Sequence, residues 1–467
     1  MATCATAILL LLLSATTGTV SCLQERELLQ MAQTQVSNAK TWVQNSVRLH
    51  GPAGLSLSLS DQTAVALRDC DKLYGESESR LAHMLSEKSI YDRNDAVAWI
   101  SGLMANHRTC LDGLEEKGYV EAQTLVKNLT VLLGEALALY SKGKDKKKGP
   151  AQGKFDRSNG GLLVSWNPGT SRADFTVAHD GSGTHKTIRE AVAALAARGG
   201  GNNPERAVIH VKSGVCNEKV EIGNKLKNVM FVGDGIDKTI VTGSRNVIQG
   251  ATTLSSATFD VSGDGFWARD MTFENTAGPG KHQAVALKVS SDLSIFYRCS
   301  FKAYQDTLYV HSNRQFYRDC HIYGTIDFIF GDATAVFQNC DIFVRKPMDH
   351  QSNLITAQAR DDQNEPTTME KIFQTVFLKT DMDGFIDPKG WKEWSGSFAL
   401  STLYYAEYMN TGSGASTKNR VNWPGFHVLH SANEAMPYTV NEWEIGGFRR
   451  LVCHFRLECN WETSFNF

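Results

Sequence analysis

Three variants of one phrase occupy the middle of the chain: Phe296-Tyr297-Arg298-Cys299-Ser300-Phe301, Phe316-Tyr317-Arg318-Asp319-Cys320-His321-Ile322 and Phe337-Gln338-Asn339-Cys340-Asp341-Ile342. Their cysteines fall 21 and then 20 residues apart. A repeat of that period is the mark of a solenoid, in which each unit buries its apolar face against the next. The repeats are rich in β-branched and aromatic residues and lack helical periodicity, which favours a coil of short strands over a leucine-rich horseshoe. Short β-prone runs at Ala207 to Val211, Val229 to Val232 and Thr239 to Thr242 extend the pattern upstream, and 39 glycines against 10 prolines suit many tight turns. Successive coils of such a fold lie about 4.8 Å apart. Cys320 and Cys340 are therefore expected to stack one rung apart, within disulfide reach.

The rest of the chain is organised around this coil. Leu125, Leu129, Leu132, Leu133 and Leu137 recur at helical spacing. Similar stretches at Val36 to Val47, Val65 to Tyr74 and Val97 to Leu111 make residues 24–140 a four-helix bundle, in which Cys70 and Cys110 could tie the second helix to the third. The run Lys142-Gly143-Lys144-Asp145-Lys146-Lys147-Lys148-Gly149-Pro150 opens a linker over 141–171, either a plain solvated spacer or a processing site. The coil itself is expected over 172–440 and an arginine- and cysteine-rich tail over 441–467. One helix near Thr187 to Ala196, started by the capping box Thr187-Ile188-Arg189-Glu190, could cover the open end of the coil. Ala7 to Leu13 followed by small residues reads as a signal peptide over 1–21, and the run is too short to span a membrane. Asn128-Leu129-Thr130 is a glycosylation sequon, in keeping with secretion. A net charge of −2 gives no global attraction to nucleic acid or to an acidic polymer, so recognition of an anion has to be local. None of the ten cysteines forms a CxxC pair, so no zinc site is expected.

The repeat also aligns residues with chemistry. Asp306 in Tyr304-Gln305-Asp306-Thr307-Leu308-Tyr309 precedes Asp327 in Gly324-Thr325-Ile326-Asp327-Phe328-Ile329-Phe330-Gly331 by 21 residues, one coil. Gln283 in His282-Gln283-Ala284-Val285-Ala286-Leu287 precedes Gln305 by 22. Three coils thus gather two glutamines and two aspartates on one face. Two close carboxylates cannot both ionise cheaply, so one stays charged as nucleophile or base and the other keeps a proton to donate. Glutamine amides can stabilise an oxyanion without adding charge. The set suits acyl transfer at an ester. Spacing alone leaves a stacked polar ladder open as the other reading.

At these residues the chain resembles the plant pectin methylesterases. The phrases His282 to Leu287, Tyr304 to Tyr309 and Asp327 to Gly331 carry the likeness, with Gly214-Val215-Cys216-Asn217-Glu218 an imperfect version of the family's GxYxE, and Trp391 to Tyr405 and Val421 to Val428 add to it. Residues 24–140 resemble the family's inhibitor-like pro-region. There Cys70 before Lys72-Leu73-Tyr74 and Cys110 in Thr109-Cys110-Leu111-Asp112 match one of the module's two disulfides, while the other has no counterpart, since no cysteine follows Cys22 until Cys70. The resemblance implies a right-handed parallel β-helix behind an all-α bundle, secretion to the plant cell wall, and hydrolysis of the methyl esters of homogalacturonan without cofactor or metal. It implies Asp327 as nucleophile, Asp306 as acid and base, and Gln283 and Gln305 at the oxyanion site. Thr253, Gln283, Tyr309 and Phe330 are the implied substrate contacts, and pectin and inhibitor domains the implied partners.

The chain also departs from the family. Thr356-Ala357-Gln358-Ala359-Arg360 is present, but the Leu-Gly-Arg-Pro-Trp phrase that should follow is missing between Pro366 and Thr375 with roughly two coils around it. In the family that phrase's arginine pairs with the nucleophilic aspartate; Arg360 belongs to the retained phrase and is not its equivalent. A non-catalytic wall protein that binds pectin is the alternative this loss favours. A lyase would want acidic calcium ligands, and a glycosidase carboxylates spaced for a glycosidic bond. The one-coil aspartate pair between two glutamines fits an ester better.

Overall fold

The computed structural model describes residues 18–50, 61–119, 123–142, 160–199, 206–357, 373–393, 396–397, 400–401, 403–436 and 455–459. The leader expected over 1–21 lies outside the described residues up to position 17, as do most of the linker and most of the tail.

Four helices come first: α1 (Gly18–His50), α2 (Asp61–Leu85), α3 (Arg93–Glu116) and α4 (Gln123–Lys142). Their apolar residues recur every three or four positions, so each helix turns one stripe inward. Leu29, Val36 and Val43 of α1 meet Leu67, Leu73 and Leu81 of α2, Ile100 and Leu103 of α3, and Leu129, Leu133 and Leu137 of α4, all buried in one cluster. Asp92 starts α3 with a reciprocal capping box to Asp95. A disulfide joins Cys70 on α2 to Cys110 on α3, with Cα atoms 4.7 Å apart. Asn128 is exposed on α4.

The remainder is a parallel β-helix of three sheets, with seven, eight and six strands. One coil shows the plan. Ser294–Tyr297 enters the seven-stranded sheet, Ser300–Lys302 the eight-stranded sheet and Leu308–Val310 the six-stranded sheet. Every strand pairs in parallel with its counterpart one coil away, as in Ser300↔His321↔Asp341 and Leu287↔Leu308↔Ile329. The repeated phrase turns the corner between the first two sheets. Its residue just before the cysteine, Arg298, Asp319 or Asn339, takes the left-handed conformation, with φ of 49°, 52° and 52°. Asp and Asn tolerate that region best among non-glycine residues, which explains two of the three. Inside the coil the repeated aromatics stack: Phe296 lies 4.9 Å from Tyr317, and Tyr317 4.7 Å from Phe337. Each buried ring of this ladder is worth on the order of 2 kcal/mol in area removed from water.

The expected cap on the open end is present. The helix Ile188–Ala197 begins at the Thr187/Glu190 capping box and buries Ile188, Ala191 and Leu195 in the core of the coil. Glu218, the last residue of the imperfect GxYxE phrase, adds a second cap by accepting the backbone N–H groups of Ile188 and Arg189.

Cys320 and Cys340 do not form the expected disulfide. The register places them on neighbouring rungs, but both are buried thiols. The Sγ of Cys320 donates to the carbonyls of Arg318 and Phe296, and that of Cys340 to the carbonyls of Gln338 and Tyr317. Each thiol is turned toward the backbone of its own and the previous coil.

Beyond Ala357 the pattern breaks. A further three-stranded parallel sheet, Phe373–Leu378, Leu403–Tyr408 and Phe426–Val428, follows, and its buried Leu378, Tyr404 and Ala406 join the core of the coil. The tail does not stay outside the β-helix: Phe455–Cys459 is a strand of the eight-stranded sheet.

Candidate active site

Asp306 and Asp327 sit at the same corner of successive coils, each two residues ahead of a strand of the six-stranded sheet. Those strands pair Leu308↔Ile329 and Tyr309↔Phe330, so the two carboxylates occupy equivalent places. Both aspartates are left-handed, with φ of 64° and 49°, a conformation that costs energy and turns the side chain out of the strand direction. Rung hydrogen bonds hold the corner: the Asp306 N–H donates to the Ile326 carbonyl at 3.0 Å and the Ala284 N–H to the Gln305 carbonyl at 3.3 Å. Gln283 and Gln305 are half-buried on the coils at this corner. Three residues beyond each aspartate, Tyr309 and Phe330 point outward as a stacked pair, ring centres 4.2 Å apart.

The environment separates the two carboxylates. Asp306 is buried, and burial, then the neighbouring charges of Asp327 and Glu116, hold its carboxyl well above the usual range, so it keeps its proton. Asp327 is less enclosed; burial lifts it to about 6, and the charge of Lys392 pulls in the other direction. Lys392 follows Trp391, whose ring stacks on Tyr405 at 4.2 Å and whose Nε1 donates to Glu407 Oε1 at 3.2 Å. Glu407 is in turn buried against Arg420 at 2.7 Å. The cation that acts on Asp327 therefore comes from the segment between Asp381–Met382 and Leu403–Tyr408. Arg360, which belongs to the retained phrase, lies outside the described residues. No spacing signal connects Lys392 to Asp327, because Lys392 lies outside the repeated phrases.

The helical region covers this face of the coil. Asp95, Gly102, Thr109 and Glu116 of α3 stand at seven-residue intervals, close to two turns, and all four meet the coil. Asp95 pairs with Arg314 at 2.7 Å. A Cβ on Gly102 would fall 3.0 Å from Asn313 Oδ1, so the helix backbone runs tight against the coil there. The Thr109 hydroxyl is 3.2 Å from the Tyr309 hydroxyl and 2.9 Å from His311 Nε2. Glu116 accepts the Thr253 hydroxyl at 3.0 Å and its backbone N–H at 3.4 Å. Beside this stripe, α2 contributes Asp69 to Thr252, Lys72 to Asp260, Glu76 to Ser262 at 2.6 Å and Arg80 to Asp264 at 2.7 Å. Two of the residues expected to touch substrate, Thr253 and Tyr309, are thus already engaged by the chain's own helices.

Comparison with known proteins agrees with the geometry. The pectinesterase family model matches residues 174–372 and 369–447, and the plant invertase/pectin methylesterase inhibitor model matches 12–139. A probable pectinesterase/pectinesterase inhibitor 36 of Arabidopsis thaliana is 52% identical over 480 aligned positions, covering 91% of this chain and 92% of the relative. Pectinesterase 2 of Citrus sinensis is 47% identical, over 83% of this chain and 80% of its own. Among solved structures, a pectin methylesterase from carrot superposes with a TM-score of 0.56 at 45% identity, covering 61% of this chain and 99% of that one. As 91% of 467 residues is about 425, about 55 of the 480 positions aligned with the Arabidopsis relative have no residue here. The two pectinesterase matches meet at 369–372, inside the stretch where the Leu-Gly-Arg-Pro-Trp phrase is missing.

Proposed function

The chain belongs to the pectinesterase family, and we propose that it removes methyl groups from pectin through an aspartyl esterase mechanism centred on Asp327. It is a carboxylic ester hydrolase acting on the methyl esters of homogalacturonan, with a function in the plant cell wall. The observation that supports the residue roles most directly is the opposite bias of two carboxylates at one corner, Asp306 kept protonated and Asp327 ionising near 6. An ionised Asp327 attacks the ester carbonyl, and Gln283 and Gln305 amides stabilise the tetrahedral oxyanion. As it collapses, Asp306 gives its proton to the departing methoxy oxygen and methanol leaves an acyl-enzyme on Asp327. Asp306, now a carboxylate, takes a proton from water; the hydroxide attacks the acyl carbon, freeing galacturonate and regenerating Asp327. Tyr309 and Phe330 offer a flat stacked surface for a sugar ring, and Thr253 a polar contact beside it.

The bundle over 24–140 serves as inhibitor of its own β-helix, because the stripe of α3 engages Thr253 and Tyr309. Secretion is supported by the leader-like residues 1–21, the Cys70–Cys110 bond and the exposed sequon at Asn128. No described helix is long and apolar enough to cross a membrane. Methanol release from methylated pectin tests the assignment. Asp327→Asn should abolish it, since an amide cannot form the acyl-enzyme, and circular dichroism should be unchanged. Substantial turnover in that variant would remove Asp327 from the nucleophile role.

A further inference from the structure

We propose that the C-terminal tail repairs the break in the β-helix, its strand Phe455–Cys459 standing in for a strand of the missing coils and bridging Cys340–Val344 to the short strand Asp381–Met382. The chain lacks about two coils after Ala357, and among the described residues two of the three sheets end near there, the seven-stranded sheet at Thr334–Gln338 and the six-stranded sheet at Thr356–Ala357. The eight-stranded sheet does not stop. Phe455–Cys459 lies parallel to Cys340–Val344 through five residue pairs, from Cys340↔Phe455 to Val344↔Cys459. On its other side it pairs Arg456 with Asp381 and Leu457 with Met382, the short strand that follows Phe373–Leu378.

Without the tail, Cys340–Val344 would present a row of unpaired N–H and C=O groups, an open template for another chain. Asp381–Met382 would also lose its only strand pairing with the eight-stranded sheet among the described residues. The pectinesterase match ends at 447, so the strand lies outside the family's own sequence pattern. A segment foreign to the family thus sits between two strands that belong to it. It is parallel to both, as every other strand of that sheet is to its neighbours, and five residues match the mean strand length.

Proline substitution tests this in the full chain. Successive residues of a strand direct their N–H groups to opposite sides, so prolines at Arg456 and at Leu457 remove a donor toward different neighbours. Arg456→Pro and Leu457→Pro should each lower the Tm by roughly 5 °C, while Leu457→Val leaves it in place. Amide exchange at Ile342 to Val344 should speed up at least tenfold in one of the two proline variants, and size-exclusion chromatography should show association through the opened edge. An unchanged Tm in both proline variants would overturn the proposal. Should neither variant fold, exchange in the unaltered chain decides. Protection of the Phe455 to Cys459 amides comparable to that of Cys340 to Val344 supports the tail strand, and exchange at the rate of an unstructured peptide rejects it.

Discussion

At Asp306 and Asp327 the left-handed corner fixes position, and burial fixes charge. As the proposed nucleophile Asp327 must be ionised to attack, so its ionised fraction, and kcat/KM with it, should rise through an acid limb near pH 6. Lys392 favours the ionised form, so Lys392→Ala should move that limb to higher pH and Lys392→Arg should restore it; a pH–rate profile reads both. The same burial has a stability consequence. The folded state holds the Asp327 proton up to about 6, against an ordinary value of 3.8. The folded state therefore binds protons more tightly than the unfolded chain, and stability is lost as pH rises from about 4 to about 6. Asp327→Asn removes that cost. The inactive variant should be more stable than the parent at pH 7, by about 1–2 kcal/mol after allowing for partial solvent access, and no more stable at pH 3.5. Denaturant unfolding at the two pH values checks the sign.

At the scale of elements, what recurs in sequence was legible and what meets only in space was not. The coil followed from one phrase repeated at 21 and 20 residues, and the equivalent places of Asp306 and Asp327 from the same period. The bundle followed from leucines at helical spacing. The docking of α3 on the coil had no such signal. Thr109 and Tyr309 are 200 residues apart, and a seven-residue stripe of Asp, Gly, Thr and Glu does not look like an interface. Cys320 and Cys340 show the opposite failure: the period was right and their place on neighbouring rungs was right, yet stacked side chains satisfied their thiols on backbone carbonyls instead. Alkylation of the denatured, unreduced chain should therefore label both cysteines and leave Cys70 and Cys110 unlabelled. The stripe itself is testable through Gly102. A leucine there keeps the helix but cannot fit against Asn313, so Gly102→Leu should loosen α3 from the coil. Methanol release by the full chain should rise several-fold with helix content unchanged. Equal rates would mean that the bundle does not limit access.

Over the whole molecule, the missing segment couples activity to architecture. The family's arginine holds the nucleophilic carboxylate by a bidentate, charge-assisted fork, which fixes orientation as well as charge. Lys392 supplies charge from an exposed position outside the repeated phrases, and Asp327 remains raised to about 6 despite it. A point charge on a flexible stem cannot aim the carboxylate in the way a fork does. Among the described residues two sheets also end near the gap, and the third continues only through the tail strand. Grafting a family segment with the Leu-Gly-Arg-Pro-Trp phrase between Pro366 and Thr375 should therefore act on both levels. Methanol release should rise, the acid limb of the pH profile should fall below 6, and the Tm should increase because each restored coil buries the face of its neighbour. The graft and the tail would compete for one place beside Cys340–Val344. Leu457→Pro, expected to destabilise the chain as it stands, should then be silent in the grafted version. Equal turnover, equal acid limb and equal Tm with and without the graft would show that Lys392 and the tail already do all that the lost coils did.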